Sequence, residues 1–80
     1  STNNISWVLN TVYNTTFYDF INGYRVKEFI QRVENKEHLS RTILALSMDS
    51  GFNSKSTFNK AFKNLMKDTP SNFIKNHRAA

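Results

Sequence analysis

Eighty residues with a net charge of +5 and no cysteine make at most one domain with a small core, and they exclude a disulfide framework and a thiolate metal site. No apolar run approaches the roughly 20 residues that a membrane-spanning helix requires. Charge is uneven: residues 1–41 carry five Lys/Arg against four Asp/Glu, whereas residues 42–80 carry six against two, and a basic surface draws polyanions, nucleic acid first and anionic membrane second.

The opening STNNIS is polar and is no signal peptide. No initiator methionine precedes the first helical pattern, which predicts a segment cut from a longer chain. Ile5, Val8, Leu9 and Val12 recur at helical spacing and predict helix α1 over residues 4–12. Thr2 or Asn3 is expected to cap its start and Asn14 to end it. Its other face carries Asn3, Ser6, Trp7 and Asn10. Thr15 and Thr16 then precede helix α2, predicted over residues 17–35 and about 28 Å long. Phe17, Phe20, Ile21, Tyr24, Phe29, Ile30 and Val33 form its expected apolar stripe, with Arg25, Lys27, Glu28, Gln31 and Arg32 on the wet face. Gly23 interrupts the helix at up to about 1 kcal/mol relative to Ala, which fits close packing with another element or simple drift at the surface.

Residues 35–41 read as a polar loop, with His38 facing solvent and Leu39 tucked down. Helix α3 is expected over residues 42–50, with Ile43, Leu46 and Ser47 facing inward and Leu44 against the preceding helix. Gly51 stands where a left-handed residue would end α3, and Phe52 anchors the turn in the core. Ser54 caps helix α4, whose inner face is Phe58, Ala61, Phe62, Leu65 and Met66. A short α5 begins at Pro70 behind Thr69, returns Phe73 and Ile74 to the core, and frays from Asn76. No β-alternation occurs over a useful length, so the fold class is all-α, with five helices.

Catalytic constellations are missing from the pattern. Gly23 and Gly51 are the only glycines, so there is no phosphate loop; Glu34 and Glu37 sit at a solvated helix end; and no strand-turn-helix elbow presents a nucleophile. His38 and His77 lie far apart in sequence without paired spacing, which argues against structural zinc. No catalytic residue, cofactor or metal is expected.

The informative unit is the stretch TILALSMDSGFNSKSTFNKAF, residues 42–62, two short helices joined at a glycine. On α4, Lys55, Ser56, Asn59, Lys60 and Lys63 lie away from Phe58 and Phe62, with Thr57 at the edge. Lysine can donate to guanine O6 and N7, asparagine can pair with adenine N6 and N7, and a threonine methyl can touch thymine. The same set also fits an ordinary solvated helix face; the turn and the preceding helix favour the reader of a major groove.

GFNSKSTFNKAFK at residues 51–63, followed by DTPSNF at 68–73, closely resembles the C-terminal signature of the AraC/XylS family of bacterial transcription regulators. INGYRV at 21–26 resembles the family's segment between its two DNA-binding units, and ISWVLNTVY at 5–13 resembles its first recognition helix. The resemblance implies a homeodomain-like helix-turn-helix fold: residues 1–14 as the recognition helix of an incomplete first unit, 16–35 as the bridging helix, and 42–76 as the complete second unit with its closing helix. It implies double-stranded DNA as partner. Lys55, Ser56, Asn59 and Lys60 would read bases, with Thr57 beside them, and Ser54, Lys63 and Thr42 would hold phosphates. Asn3, Ser6, Trp7 and Asn10 would face DNA from α1, the reading favoured for Trp7 over a surface that packs on helices preceding this segment.

Two further helices of the family are absent before α1, which leaves a second copy of the chain as another partner for the incomplete unit. Lys67 stands where the family has glycine, and Ser47 where alanine is common. The wording of residues 51–63 is similar to that at the C-terminus of membrane-anchored hybrid sensor regulators of two-component signalling, so a cytoplasmic, nucleoid-associated reader in a membrane-anchored parent is expected. The fragment itself is expected to bind no small molecule and to touch no membrane. The alternative to DNA reading is a helical protein-interaction or dimerisation module.

Overall fold

Five α-helices and one 3-10 turn follow one another in the described residues, 2–13 and 15–79; the side chains at positions 2–4, 6, 78 and 79 lie outside the description. In this computed structural model the helices are α1 Thr2–Val12, α2 Phe17–Glu34, α3 Ile43–Asp49, α4 Lys55–Met66 and α5 Pro70–Ala79, with the 3-10 turn at Glu37–Leu39. No strand occurs among the described residues. The fold is the all-α helix-turn-helix that periodicity and resemblance predict.

Hydroxyl caps set most of the helix starts. Thr16, Thr42, Ser54 and Thr69 accept from the amides of Asp19, Ala45, Thr57 and Asn72 at 3.0, 3.0, 3.2 and 3.1 Å. Each satisfies a backbone donor the helix cannot, at about 1 kcal/mol apiece. α1 already begins at Thr2, two residues ahead of the expected start, so Thr2 and Asn3 belong to the helix and do not precede it as caps. The expected stop at Asn14 lies outside the described residues. Gly51 ends the α3 turn at φ 108°, and α2 and α4 terminate at left-handed Lys36 (φ 66°) and Lys67 (φ 59°). A side chain in that region costs about 1–2 kcal/mol, so the departure from glycine at Lys67 carries its expected strain; Lys36 adds a second instance. α5 continues as helix through residues 76–79 instead of fraying at Asn76.

The core joins Val26, Phe29 and Val33 of α2 with Leu46 of α3, Phe52 of the turn, Phe58 and Phe62 of α4, and Ile74 of α5. Its centre is aromatic. Phe29 meets Phe58 at 4.8 Å and Phe62 at 5.7 Å, Phe52 meets Phe58 edge-on at 5.3 Å, and Phe73 meets Phe62 at 5.5 Å. Tilted and edge-on pairs of this kind add roughly 0.5–1.5 kcal/mol each beyond area burial. Ser47 faces inward as expected, its hydroxyl donating to the Leu44 carbonyl at 2.7 Å.

The α2 stripe is turned relative to expectation. Asn22, Val26, Phe29 and Val33 are its buried residues, whereas Phe17, Phe20 and Tyr24 are exposed. An open groove separates the first half of α2 from α4, lined by Tyr18, Asp19, Asn22 and Gly23 on one wall and Ala61, Asn64 and Leu65 on the other. A Cβ on Gly23 would meet nothing within 4 Å, so the glycine does not serve close packing. Leu65, on the wall of this groove, is exposed. Leu44 is also exposed, and Leu39, expected to tuck down, is 63% exposed, because the 3-10 turn directs it outward. Among its described side chains α1 buries Leu9, whereas Ile5, Val8 and Val12 of its expected stripe are exposed.

Surface pairs tie α2 to the 3-10 turn and the end of α3. Arg32 bonds Glu37 at 3.2 Å, lies 3.6 Å from Glu28, and donates to the Asp49 carbonyl at 3.4 Å. Arg41 pairs with Asp49. His38, half-buried and not fully solvent-facing, meets the His77 ring at 6.4 Å, and Phe73 stacks on His77 at 6.1 Å. Among the described residues no three His, Cys, Asp or Glu side chains gather as a metal site. No helix among them is long and apolar enough to cross a membrane.

Candidate nucleic-acid interface

α4 is sharply two-sided. Phe58 and Phe62 are 1% and 0% exposed, while Lys55, Ser56, Lys60 and Lys63 are exposed and Thr57 and Asn59 are half-buried at the edges. The division follows from helical spacing: Phe58 and Phe62 stand four residues apart on one face, and Lys55, Ser56, Asn59, Lys60 and Lys63 fill the face between them. α3 lies beneath α4 across the Gly51 turn, and the buried phenylalanines fix α4 against α2.

Two clefts flank this exposed ridge. One, of about 590 Å³, gathers Lys55, Asn59 and Lys63 of α4 with Thr42 at the start of α3 and Thr69 and Ser71 at the start of α5. Four of the residues expected to touch DNA therefore share one wall-and-floor arrangement, although Thr42 is far from the others in sequence. The hydroxyl oxygen of Thr42 accepts from the Ala45 amide, which leaves its hydrogen free to donate outward. The opposite groove, about 470 Å³, contains Thr57 and Lys60 together with Asp19 and Tyr18. The first flank carries two lysines and no carboxylate, whereas the second balances Lys60 against Asp19. Anionic ligands are favoured on the α3/α5 side.

Ser54 is occupied locally. Its oxygen accepts from the Thr57 amide, and its hydroxyl donates to Thr57 Oγ1 at 2.9 Å. That leaves the Thr57 hydroxyl hydrogen available to a partner outside the helix.

The α1 residues stand apart from this cluster. Trp7 is 64% exposed on the side of α1 opposite buried Leu9, and Asn10 is exposed on its flank. The side chains of Asn3 and Ser6 lie outside the described residues. The molecule measures 42 × 21 × 21 Å, with α1 and the α4 unit joined by α2.

Thr69 and Ser71 join the interface without being marked for it by the sequence. The pattern shows Thr69 as a cap and Pro70 as a first helical residue, but their place beside Lys63 depends on α5 folding back next to the start of α3. The hydroxyls on either side of Pro70 are the only local signal.

A family model described as a helix-turn-helix domain matches residues 1–76. No curated protein and no solved structure matches the chain.

Proposed function

Because this chain belongs to the AraC/XylS-type helix-turn-helix family, and so is a DNA-binding domain of a transcription regulator, we propose that α4 reads base edges in the major groove of a specific duplex. The observation that carries the reading is the division of α4 into a wholly buried phenylalanine face and an outer face of exposed lysines and Ser56, with Asn59 and Thr57 half-buried at its edges. Lys55, Ser56, Asn59 and Lys60 contact bases, with the Thr57 methyl and hydroxyl beside them. Lys63 and Thr42 hold phosphates along the flank free of carboxylates, and Ser54 joins them by turning its hydroxyl from Thr57 to the strand. Trp7, Asn10, Asn3 and Ser6 form a second contact. Successive major grooves on one side of a duplex lie about 34–36 Å apart, and the 42 Å long axis supports two contacts at that separation.

Two substitutions separate base reading from phosphate holding. Lys63→Ala should weaken binding to every duplex alike and lower the log–log salt slope by about 0.9. Asn59→Ala should relax preference at one position, where a bidentate contact discriminates by about 1–3 kcal/mol. Equal, sequence-independent losses in both variants would remove base reading from α4.

The exposed Ile5, Val8 and Val12 favour a second reading, a protein-interaction or dimerisation surface on α1. A low-salt titration with random duplex DNA discriminates. Binding there accords with DNA reading, whereas concentration-dependent self-association without any duplex binding would leave only the interaction module.

A further inference from the structure

Arg25 belongs by sequence to the wet face of α2, yet its side chain is half-buried and crosses to the helix-turn-helix turn. One guanidinium nitrogen donates to Asn22 Oδ1 at 3.0 Å, and Asn22 is itself 6% exposed. The guanidinium carbon lies 5.9 Å from the centroid of the buried Phe52 ring. The stem runs along Gly51: a Cβ there would stand 3.2 Å from Arg25 Nε and 3.3 Å from its Cγ. Glycine is therefore required at position 51 twice, for its φ of 108° and for the room it leaves to this arginine.

The turn so covered is held by two backbone bonds, Gly51 amide to Met48 carbonyl at 3.0 Å and Phe52 amide to Ser47 carbonyl at 3.1 Å. From Phe52 the packing continues edge-on to Phe58 of α4 and from there to Phe29 of α2. One side chain thus joins the middle of α2 to the hinge from which α4 departs. A planar, always-charged fork suits this work, since it can hydrogen-bond at one edge while its face or carbon rests near an aromatic ring.

We infer that Arg25 is a positioning residue for DNA recognition: it sets the turn between α3 and α4, and so the angle at which α4 is presented to the groove. Arg25 acts through Gly51 and Phe52 and not by touching DNA. The inference rests on the proposed reading of α4, but its first consequence can be measured without DNA.

Amide hydrogen exchange and duplex binding are compared for the unsubstituted protein, Arg25→Ala and Arg25→Lys. In Arg25→Ala the amides of Gly51 and Phe52 should exchange about tenfold faster, the scale of one partly buried cation–π contact with its hydrogen bond, while those of Val33 and Phe62 keep their protection. Arg25→Lys keeps the stem over Gly51 but not the fork to Asn22, and should recover part of that protection. Equal acceleration at all four amides would reduce Arg25 to a general stabiliser and overturn the inference, as would unchanged exchange at the turn.

Binding supplies the second test, with a duplex enriched by the unsubstituted protein from a random pool. Arg25→Ala should lower the ratio of affinities for that duplex and for random duplex about tenfold, with an unchanged salt slope. A slope reduced by about 0.9 would make Arg25 a phosphate contact and overturn the positioning role. Failure of the unsubstituted protein to enrich any duplex would instead defeat the reading of α4 and overturn the link of Arg25 to recognition, and the exchange result would then decide the turn-setting role alone.

Discussion

The two ends of the molecule use aromatic side chains in opposite ways. Around the second unit, Phe29, Phe52, Phe58 and Phe62 are buried against one another. Around α1 and the first half of α2, Trp7, Tyr13, Tyr18, Phe20 and Tyr24 are exposed. Similar residue types on helices of similar pattern therefore do different things according to how many elements surround them. α3, α4, α5 and the C-terminal half of α2 enclose a core from several sides. α1 packs chiefly on α2, and a pair of helices cannot enclose an aromatic side chain completely. The contrast implies that the C-terminal unit unfolds as one body and that α1 opens at lower free energy.

The most severe test of that contrast is at the centre of the core. Phe62→Ala should cost about 3–5 kcal/mol, against a total of roughly 4–12 kcal/mol for a domain of this length. Urea denaturation followed by circular dichroism should show a large loss or complete unfolding. A smaller penalty, about 1–2 kcal/mol, is expected for Gly51→Ala, from its positive φ and the displaced Arg25 stem. The same denaturation experiment measures it, and a neutral result would mean that the turn is not held as described.

Lys67→Gly should act in the other direction and raise the urea midpoint by up to about 1 kcal/mol equivalent, because it relieves a left-handed side chain at φ 59°. The effect is offset in part by the greater freedom of glycine in the unfolded chain. Leu9→Ala should have the least effect on the global midpoint, below about 0.5 kcal/mol, while amide exchange throughout α1 accelerates. A buried leucine inside a cooperative core would cost about 2–5 kcal/mol. A midpoint loss of that size at Leu9 would show that α1 belongs to the same folding unit and would erase the contrast.

Local chemistry is well recorded in the sequence. Thr16, Ser54 and Thr69 cap where hydroxyls precede helical patterns, Thr42, expected as the first residue of α3, stands before it as its cap, and Gly51 and Lys67 take the backbone conformations their positions require. These features depend on a few neighbouring residues. The face of α2 depends on distant ones: Phe17, Phe20 and Tyr24 satisfy helical periodicity as well as Phe29 does, but nothing local states whether a neighbour will cover them. Arg25 departs from its expected place for a related reason, since a long side chain can leave its own helix face to reach a ring. The α4 surface is legible from its spacing alone. Its cleft with Thr42, Thr69 and Ser71 is not, because that cleft exists only where three helix segments converge.

α2 also has a mechanical meaning. At about 1.5 Å per residue, its 18 residues form a rod of roughly 27 Å. Its core anchors, Val26, Phe29 and Val33, all lie in the second half, and beyond buried Asn22 the N-terminal turns project as an arm from a pivot there. A few degrees of rocking at that pivot move α1 by an ångström or more while α4 stays seated. On the proposed two-contact reading, one groove would be held firmly while the other end followed the twist of the duplex, so that spacing between contacts would be a softer requirement than their identity.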